Sequence, residues 1–273
     1  MNQYPQSEQN PQPSQPPRVV QVAMPTVKPT VMYAILGTTI FVYLLQLIGQ
    51  YFLPSSWTAS FLSSFGTSDI AAVLGEKVNV LIRAGQFWRL ITPVFLHDST
   101  LPYGLLHIGF NMYALYLFGR GAEARYGHWR FLLLYFLSAF AGNVFSFLLT
   151  PNASLGASTA IFGLLAAEGV FIIQNRKLLG KRADGALINV VTMAALNLFI
   201  GLAVTGVDNW GHLGGLTGGL LFAWFGGPRW KIEGIYPSLQ LVDEREGHGA
   251  LAGTIAVLLI FIPLTAMGWI WPR

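Results

Sequence analysis

From residue 31 onward the chain is a succession of apolar runs divided by short polar or glycine-rich stretches. A bilayer core demands roughly 20 apolar residues per helix. Seven stretches approach that length, at about 31–53, 103–119, 130–150, 158–175, 187–206, 209–226 and 249–271. The third opens RFLLLYFLSAF and the seventh reads TIAVLLIFIPLTAMGWIW; several of the others are short or interrupted by glycine. No longer period repeats along the chain. The pattern predicts an all-α, polytopic bundle of membrane helices.

Two regions fall outside it. Residues 1–30 hold seven of the fifteen prolines, are rich in glutamine and show no apolar periodicity. Such a segment buries too little surface to offset its ordering entropy, and it reads as a disordered cytoplasmic tail. It has neither the basic start nor the apolar run of a signal peptide. Residues 54–102 form a long connection that is not uniformly polar, with Trp57, Phe61, Phe65, Leu74, Val80, Leu81, Phe87 and Trp88. A structureless loop of that length is unusual. Its tryptophans suit the outer membrane interface, where it either engages substrate or packs to seal the bundle. Residues 227–248 read as a cytoplasmic linker to the last span at 249–273.

Composition agrees with a lipid solvent. Hydrophobic residues make up 53% of the 273 and charged residues only 10%, against about a quarter charged in soluble domains. The absence of cysteine excludes disulfides, thiolate catalysis and cysteine metal sites. The basic pI near 9.4 would suit nucleic acid, but the cations form no patch. With the amino terminus inside, Arg18, Lys28, Arg120, Arg125, Arg130, Arg176, Lys177, Lys181, Arg182, Arg229, Lys231 and Arg245 are cytoplasmic. Only Lys77, Arg83, Arg89 and Arg273 then lie outside. That bias fixes the orientation by the positive-inside rule and removes the need for a nucleic-acid partner.

Polar residues within spans are costly, so each is a functional candidate. His107 and Asn111 lie near the start of the second span, Ser158 opens the fourth, and His212 lies near the start of the sixth. In this topology all three spans run from outside to inside. The four side chains therefore share one depth, just below the outer surface. Ser158 follows Gly156-Ala157 and on its own would read as a helix cap or packing contact. A histidine on another span at matching depth gives it a base that can take the hydroxyl proton and return it to a leaving amine. The helix amino terminus at Ser158 also aims backbone N–H groups at a developing oxyanion.

His107 and Asn111, four residues apart, share a helix face. They suit oxyanion donation; the alternative is bonding to helix backbones. No metal is predicted, because His97 sits in the outer loop and His128 and His248 on the cytoplasmic side. Gly215-x-x-x-Gly219 lets a neighbouring helix approach closely, as a Ser158–His212 hydrogen bond would require.

Taken together, Trp88-Arg89, His107-x-x-x-Asn111, Gly156-Ala157-Ser158 followed by Ala160-Ile161-Phe162-Gly163, and His212-x-x-Gly215-x-x-x-Gly219 resemble the rhomboid intramembrane serine proteases. The motifs occur in family order, and with the first and fifth spans the resemblance covers about 31–226. It implies a six-helix core plus one extra carboxy-terminal helix and a Ser158–His212 dyad opening to the outer side. By the same resemblance, His107, Asn111 and the Ser158 N–H bind the oxyanion, Gly156 keeps the approach open, and Phe162 lies against the catalytic imidazole. It implies no cofactor, and membrane proteins, single-span ones among them, as substrates. Thr159 departs from the glycine that often follows the serine, and modest repacking is expected there. Five extra residues, Asp98 to Pro102, lengthen the loop before His107.

Asp208 precedes His212 by four residues and reads as a solvated loop acid in preference to a third triad member. Glu168 is protonated, paired or tied to gating; the sequence does not choose. Arg89 should anchor the outer loop, and Glu123 and Arg125 should order a cytoplasmic loop after the second span. The tail and the lack of a transit peptide favour a bacterial plasma membrane. A client-binding rhomboid-like protein without catalysis is the alternative function. A transporter would need inverted repeats or charged pathways that the sequence does not show.

Overall fold

The computed structural model describes residues 24–53 and 69–270. Most of the proline-rich tail, the loop residues Trp57, Phe61 and Phe65, and Arg273 lie outside the described residues.

Helix α1 (Thr30–Tyr51) begins directly after Pro29. Its first-turn N–H groups at Val31 and Met32 donate to the two carboxylate oxygens of Glu123, at 2.9 and 2.6 Å. A carboxylate there satisfies orphan donors and complements the helix dipole. Glu123 itself belongs to a helix, not to a loop. Helix α4 (Tyr103–Ala114) passes through a π-helical turn at Leu115–Gly119 into α5 (Arg120–Tyr126). The second span is thus longer than the apolar run predicts. Arg120, Glu123 and Arg125 end that run, yet each has a partner: Tyr116, the start of α1, and Glu168 respectively. The turn to the next helix comes only at Gly127, with φ of 78°.

Helices α6 (His128–Leu149) and α7 (Ser158–Gln174) follow, then the short α8 (Arg176–Leu179), α9 (Arg182–Ala203) and α10 (Asn209–Gly226). Helices α6, α7 and α10 pack against one another and form the centre, where Phe131, Leu134, Ala139, Leu164 and Phe222 are buried. Helix α9 is peripheral, with only Ala183 and Gly201 buried. Four helices among the described residues are long and apolar enough to cross a membrane: α1, α6, α9 and α11 (Gly249–Ile270). The three that carry the candidate site residues, α4, α7 and α10, are shorter or more polar. Helices α7 and α10 need not match lipid along their whole length, because much of each faces protein.

The connection between α1 and α4 is folded over its described residues 69–102. It contains α2 (Ile70–Gly75), capped by Asp69, then α3 (Asn79–Arg83) and two 3₁₀ turns at Phe87–Leu90 and Thr92–Phe95. Arg89 is buried and donates to the carbonyls of Val73 and Glu76, at 2.6 and 2.7 Å, and to Gln86 Oε1. It therefore ties the loop to itself, as expected. Leu74, Val80, Phe87 and Trp88 stay about half exposed.

Residues 227–248 contain a hairpin that hydropathy did not signal, β1 (Trp230–Glu233) antiparallel to β2 (Gln240–Asp243), with Trp230 opposite Asp243. Asn175 Oδ1 accepts from the Trp230 N–H at 2.8 Å, and Arg130 pairs with Asp243. Helix α11 then packs on α6 and α10. At its carboxyl end Trp269 Nε1 donates to the Arg83 carbonyl and Arg83 Nε to that of Gly268, at 2.9 and 3.1 Å.

Candidate active site

The site is assembled by backbone contact between helices. A Cβ added to Gly215 would lie 2.0 Å from the Thr159 carbonyl oxygen, and one on Gly219 would lie 2.3 Å from that of Gly163. No real side chain tolerates such distances, so α10 meets α7 backbone to backbone along this face. The adjacent glycines serve α6 in the same way: Cβ atoms at Gly214 and Gly218 would lie 2.6 Å from the Ala141 carbonyl oxygen and 2.4 Å from its Cβ. The doubled glycines at 214–215 and 218–219 therefore seat α10 between two helices, where the Gly215-x-x-x-Gly219 spacing predicts only one of the faces.

Ser158 is the first residue of α7 and His212 lies in the first turns of α10. The close helix contact brings Ser158 Oγ to 2.8 Å from His212 Nε2. Phe162, one turn beyond Ser158, stacks on the His212 ring with centroids 4.4 Å apart and planes 18° from parallel. The imidazole is thus fixed in tilt by an aromatic face and in direction by the serine. Asp208 does not bond to the ring. It caps α10, its carboxylate accepting from the Gly211 N–H at 2.8 Å and from the Ser146 hydroxyl. It is neither a triad member nor a freely solvated loop acid.

Gly156 adopts φ of 133°, a conformation that disfavours any side chain, and its N–H donates to the Pro93 carbonyl at 2.9 Å. A Cβ there would lie 3.1 Å from His107 Nε2 and 3.7 Å from Ser158 Oγ. His107 and Ser158 thus flank the space that Gly156 leaves open. The Asp98 N–H points to His107 Nδ1 at 3.5 Å, and Nε2 faces that space. Asn111 is buried beside it, with Nδ2 donating to the His107 carbonyl at 2.9 Å. That is the helix-backbone bond weighed as the alternative for this residue. A carboxamide nitrogen carries a second hydrogen, which this bond leaves available. The Thr159 side chain packs where a Cβ on Gly142 would sit, 2.6 Å from its own Cβ. A glycine on α6 thereby makes room for the departure beside the serine.

His97, expected only as an outer-loop residue, belongs to the site. It is fully buried, its ring lies 4.9 Å from that of His107, and its Nε2 faces the Ala157 N–H at 3.5 Å. Gln46 on α1 holds it from behind, bonding to the His97 carbonyl and N–H at 2.8 and 3.0 Å. Burial, with His107 alongside, pushes the His97 imidazole down to about 3. His97 is thus a neutral wall supporting His107. A polar Gln46 inside an apolar span was the available signal. Among the described residues no three metal-ligating side chains converge. Glu168 resolves to the paired option, joined to Arg125, whose guanidinium also lies 4.8 Å from the Phe171 ring centroid.

A family model described as "Rhomboid domain" matches residues 84–229. The chain is 40% identical over 156 residues to "Rhomboid protease GluP" of Bacillus subtilis (strain 168), covering 57% of this chain and 29% of that protein. It is 30% identical over 164 residues to "RHOMBOID-like protein 9, chloroplastic" of Arabidopsis thaliana, covering 60% and 36%. It is 36% identical over 137 residues to "Rhomboid-like protease 3" of Toxoplasma gondii, covering half of each chain. The matched region spans half or less of the length of each of these relatives. It includes the Trp88-Arg89 pair, all four polar candidates and the glycine face of α10. With its long apolar helices and a rhomboid domain filling more than half of its length, the chain is an integral membrane protein belonging to the rhomboid family.

Proposed function

We propose that this protein is an intramembrane serine endopeptidase that cleaves membrane-protein substrates in or next to a transmembrane segment. The observation that carries the reading is the 2.8 Å contact between Ser158 Oγ and His212 Nε2 at the amino terminus of a buried helix. In the proposed reaction His212 takes the Ser158 proton as Oγ attacks the peptide carbonyl. The oxyanion accepts from the Ser158 backbone N–H, His107 Nε2 and the second hydrogen of Asn111. The imidazolium then protonates the departing amine, and a water activated by the same ring hydrolyses the acyl-enzyme. Nothing in this sequence of steps calls on a cofactor.

A helical peptide hides its carbonyls in hydrogen bonds, so the favoured substrates carry small or helix-weakening residues at the outer end of a span. Water must reach Ser158 through an outer opening, which goes with a cytoplasmic amino terminus and a bacterial plasma membrane. The test is reconstitution with a single-span substrate, comparing wild type with Ser158→Ala and His212→Ala, alongside fluorophosphonate labelling. Both variants should lose cleavage and labelling. Cleavage that survives either change would sink the dyad. A wild type that cleaves nothing across a substrate panel, and takes no label, would favour client binding.

A further inference from the structure

Lys77 is fully buried in the outer loop. Its ammonium reaches four oxygens: Asn152 O at 2.6 Å, Asn79 Oδ1 at 3.0 Å, and the carbonyls of Ser146 and Thr150 at 3.3 Å each. Ser146 lies in the last turn of α6 and Thr150 is its cap residue, so the charge sits at the negative end of the helix dipole. Asn79 Nδ2 joins the same carbonyl cluster, donating to Thr150 O at 2.9 Å and Phe147 O at 3.2 Å. Burial lowers Lys77 to about 8, with Asp208 pulling it back upward. The side chain is still largely charged at neutral pH.

The backbone of Lys77 does a second thing. It exchanges both hydrogen bonds with Ser154, at 2.9 and 3.1 Å. Ser154 stands four residues before Ser158, on the extended segment that delivers the nucleophile to α7. The Ser154 hydroxyl lies 3.1 Å from that of Ser146, and Ser146 in turn donates to Asp208. Asp208 caps α10 with its side chain, and its carbonyl accepts from the His212 N–H at 3.0 Å. One continuous set of contacts thus runs from the segment before Ser158 to the helix that carries His212. Lys77 stands at the carboxyl end of α6 and Asp208 at the amino end of α10, each charge matching the dipole it faces.

We propose that Lys77, Ser146 and Asp208 form a positioning network that sets the approach of Ser158 to His212 from the outer loop, without touching substrate. The inference rests on the Ser158–His212 reading and adds residues that act through the dyad. Ser146→Ala removes one hydroxyl from a packed helix and is the mildest break. Asp208→Asn keeps an acceptor for Gly211 but loses the charge. Lys77→Met removes the ammonium while keeping most of the volume.

The reconstituted full chain is assayed for kcat and KM on a single-span substrate, for the rate of fluorophosphonate labelling of Ser158, and for its thermal unfolding midpoint. Ser146→Ala and Asp208→Asn should each lower kcat and the labelling rate about tenfold, as sub-ångström misplacement does, with KM within about twofold. The double variant should be no worse than the poorer single one, because both cut the same path. Lys77→Met should lower the labelling rate likewise, and wild-type labelling in that variant removes Lys77 from the network. Lowered midpoints with unchanged kcat below them, or multiplicative losses in the double variant, overturn the inference alone. A wild type in which Ser158 takes no label overturns the parent reading and this inference with it.

Discussion

Placing one methyl group at the α7–α10 contact tests the whole construction of the site. In Gly215→Ala the new Cβ would lie 2.0 Å from the Thr159 carbonyl oxygen and 2.7 Å from its carbon. Both atoms are backbone, so no rotamer can relieve the clash. The helices must part by at least about 1 Å before the contact becomes tolerable, since relaxed non-bonded distances lie near 3.5 Å. Thr159 adjoins Ser158, and Gly215 lies three residues after His212, so the separation acts directly on the dyad. The Ser158–His212 distance of 2.8 Å then moves toward the roughly 3.5 Å at which a hydrogen bond is lost. Displacements of about 1 Å in catalytic geometry cost on the order of 100-fold in rate. Fluorophosphonate labelling of Ser158 and cleavage of a single-span substrate should both fall by that order in Gly215→Ala. Gly37 on α1 is the control, because nothing lies within 4 Å of a Cβ placed there. Gly37→Ala should leave both rates unchanged and add up to about 1 kcal/mol of helix stability. Labelling of Gly215→Ala within twofold of wild type would refute the backbone-contact account, as would an equal loss in Gly37→Ala.

Two further predictions concern the supports. Arg125→Ala leaves the part-buried Glu168 carboxylate without its partner and should destabilise the folded protein by about 1–2 kcal/mol, read by denaturant titration in detergent. Labelling in the cold should stay near wild type, because Glu168 lies ten residues along α7 from Ser158, roughly 15 Å away; an unchanged unfolding free energy would show that the pair adds nothing. His97 has a folded-state value of about 3, below its ordinary 6.5. Its stabilising contribution is therefore complete above about 6.5 and is withdrawn as pH falls through that window toward 3. Wild type should lose about 2 kcal/mol more than His97→Gln between pH 7.5 and 5; parallel pH profiles would exclude a buried neutral His97.

The supporting residues share a logic that differs from that of the dyad. Acidic and basic side chains of the bundle sit at helix ends or in pairs: Glu123 at the start of α1, Asp208 at the start of α10, Lys77 at the end of α6, Arg125 with Glu168. Helix termini offer unpaired backbone groups and a dipole of the right sign, so a charge there replaces water at little net cost. Ser158, His212 and His107 are different. They are arranged around the opening left by Gly156, where the proposed reaction places the substrate carbonyl.

The sequence by itself determined the apolar helices and their order, because lipid thickness and backbone hydrogen bonding leave few ways to span a bilayer. It also singled out Ser158, His212, His107 and Asn111, since polar side chains at matching depth in parallel spans stand out against an apolar background. Only the tertiary structure decided what the charged residues do. Asp208 caps a helix instead of floating in a loop, Glu168 has a partner 43 residues away in Arg125, and Lys77 reaches carbonyls up to 75 residues away. Hydropathy treats each residue by its own transfer energy, whereas these are satisfied by partners that only helix packing supplies. The same holds for the second glycine face of α10 and for the extension of α4 into α5. Both depend on what lies alongside the helix, which no local pattern records.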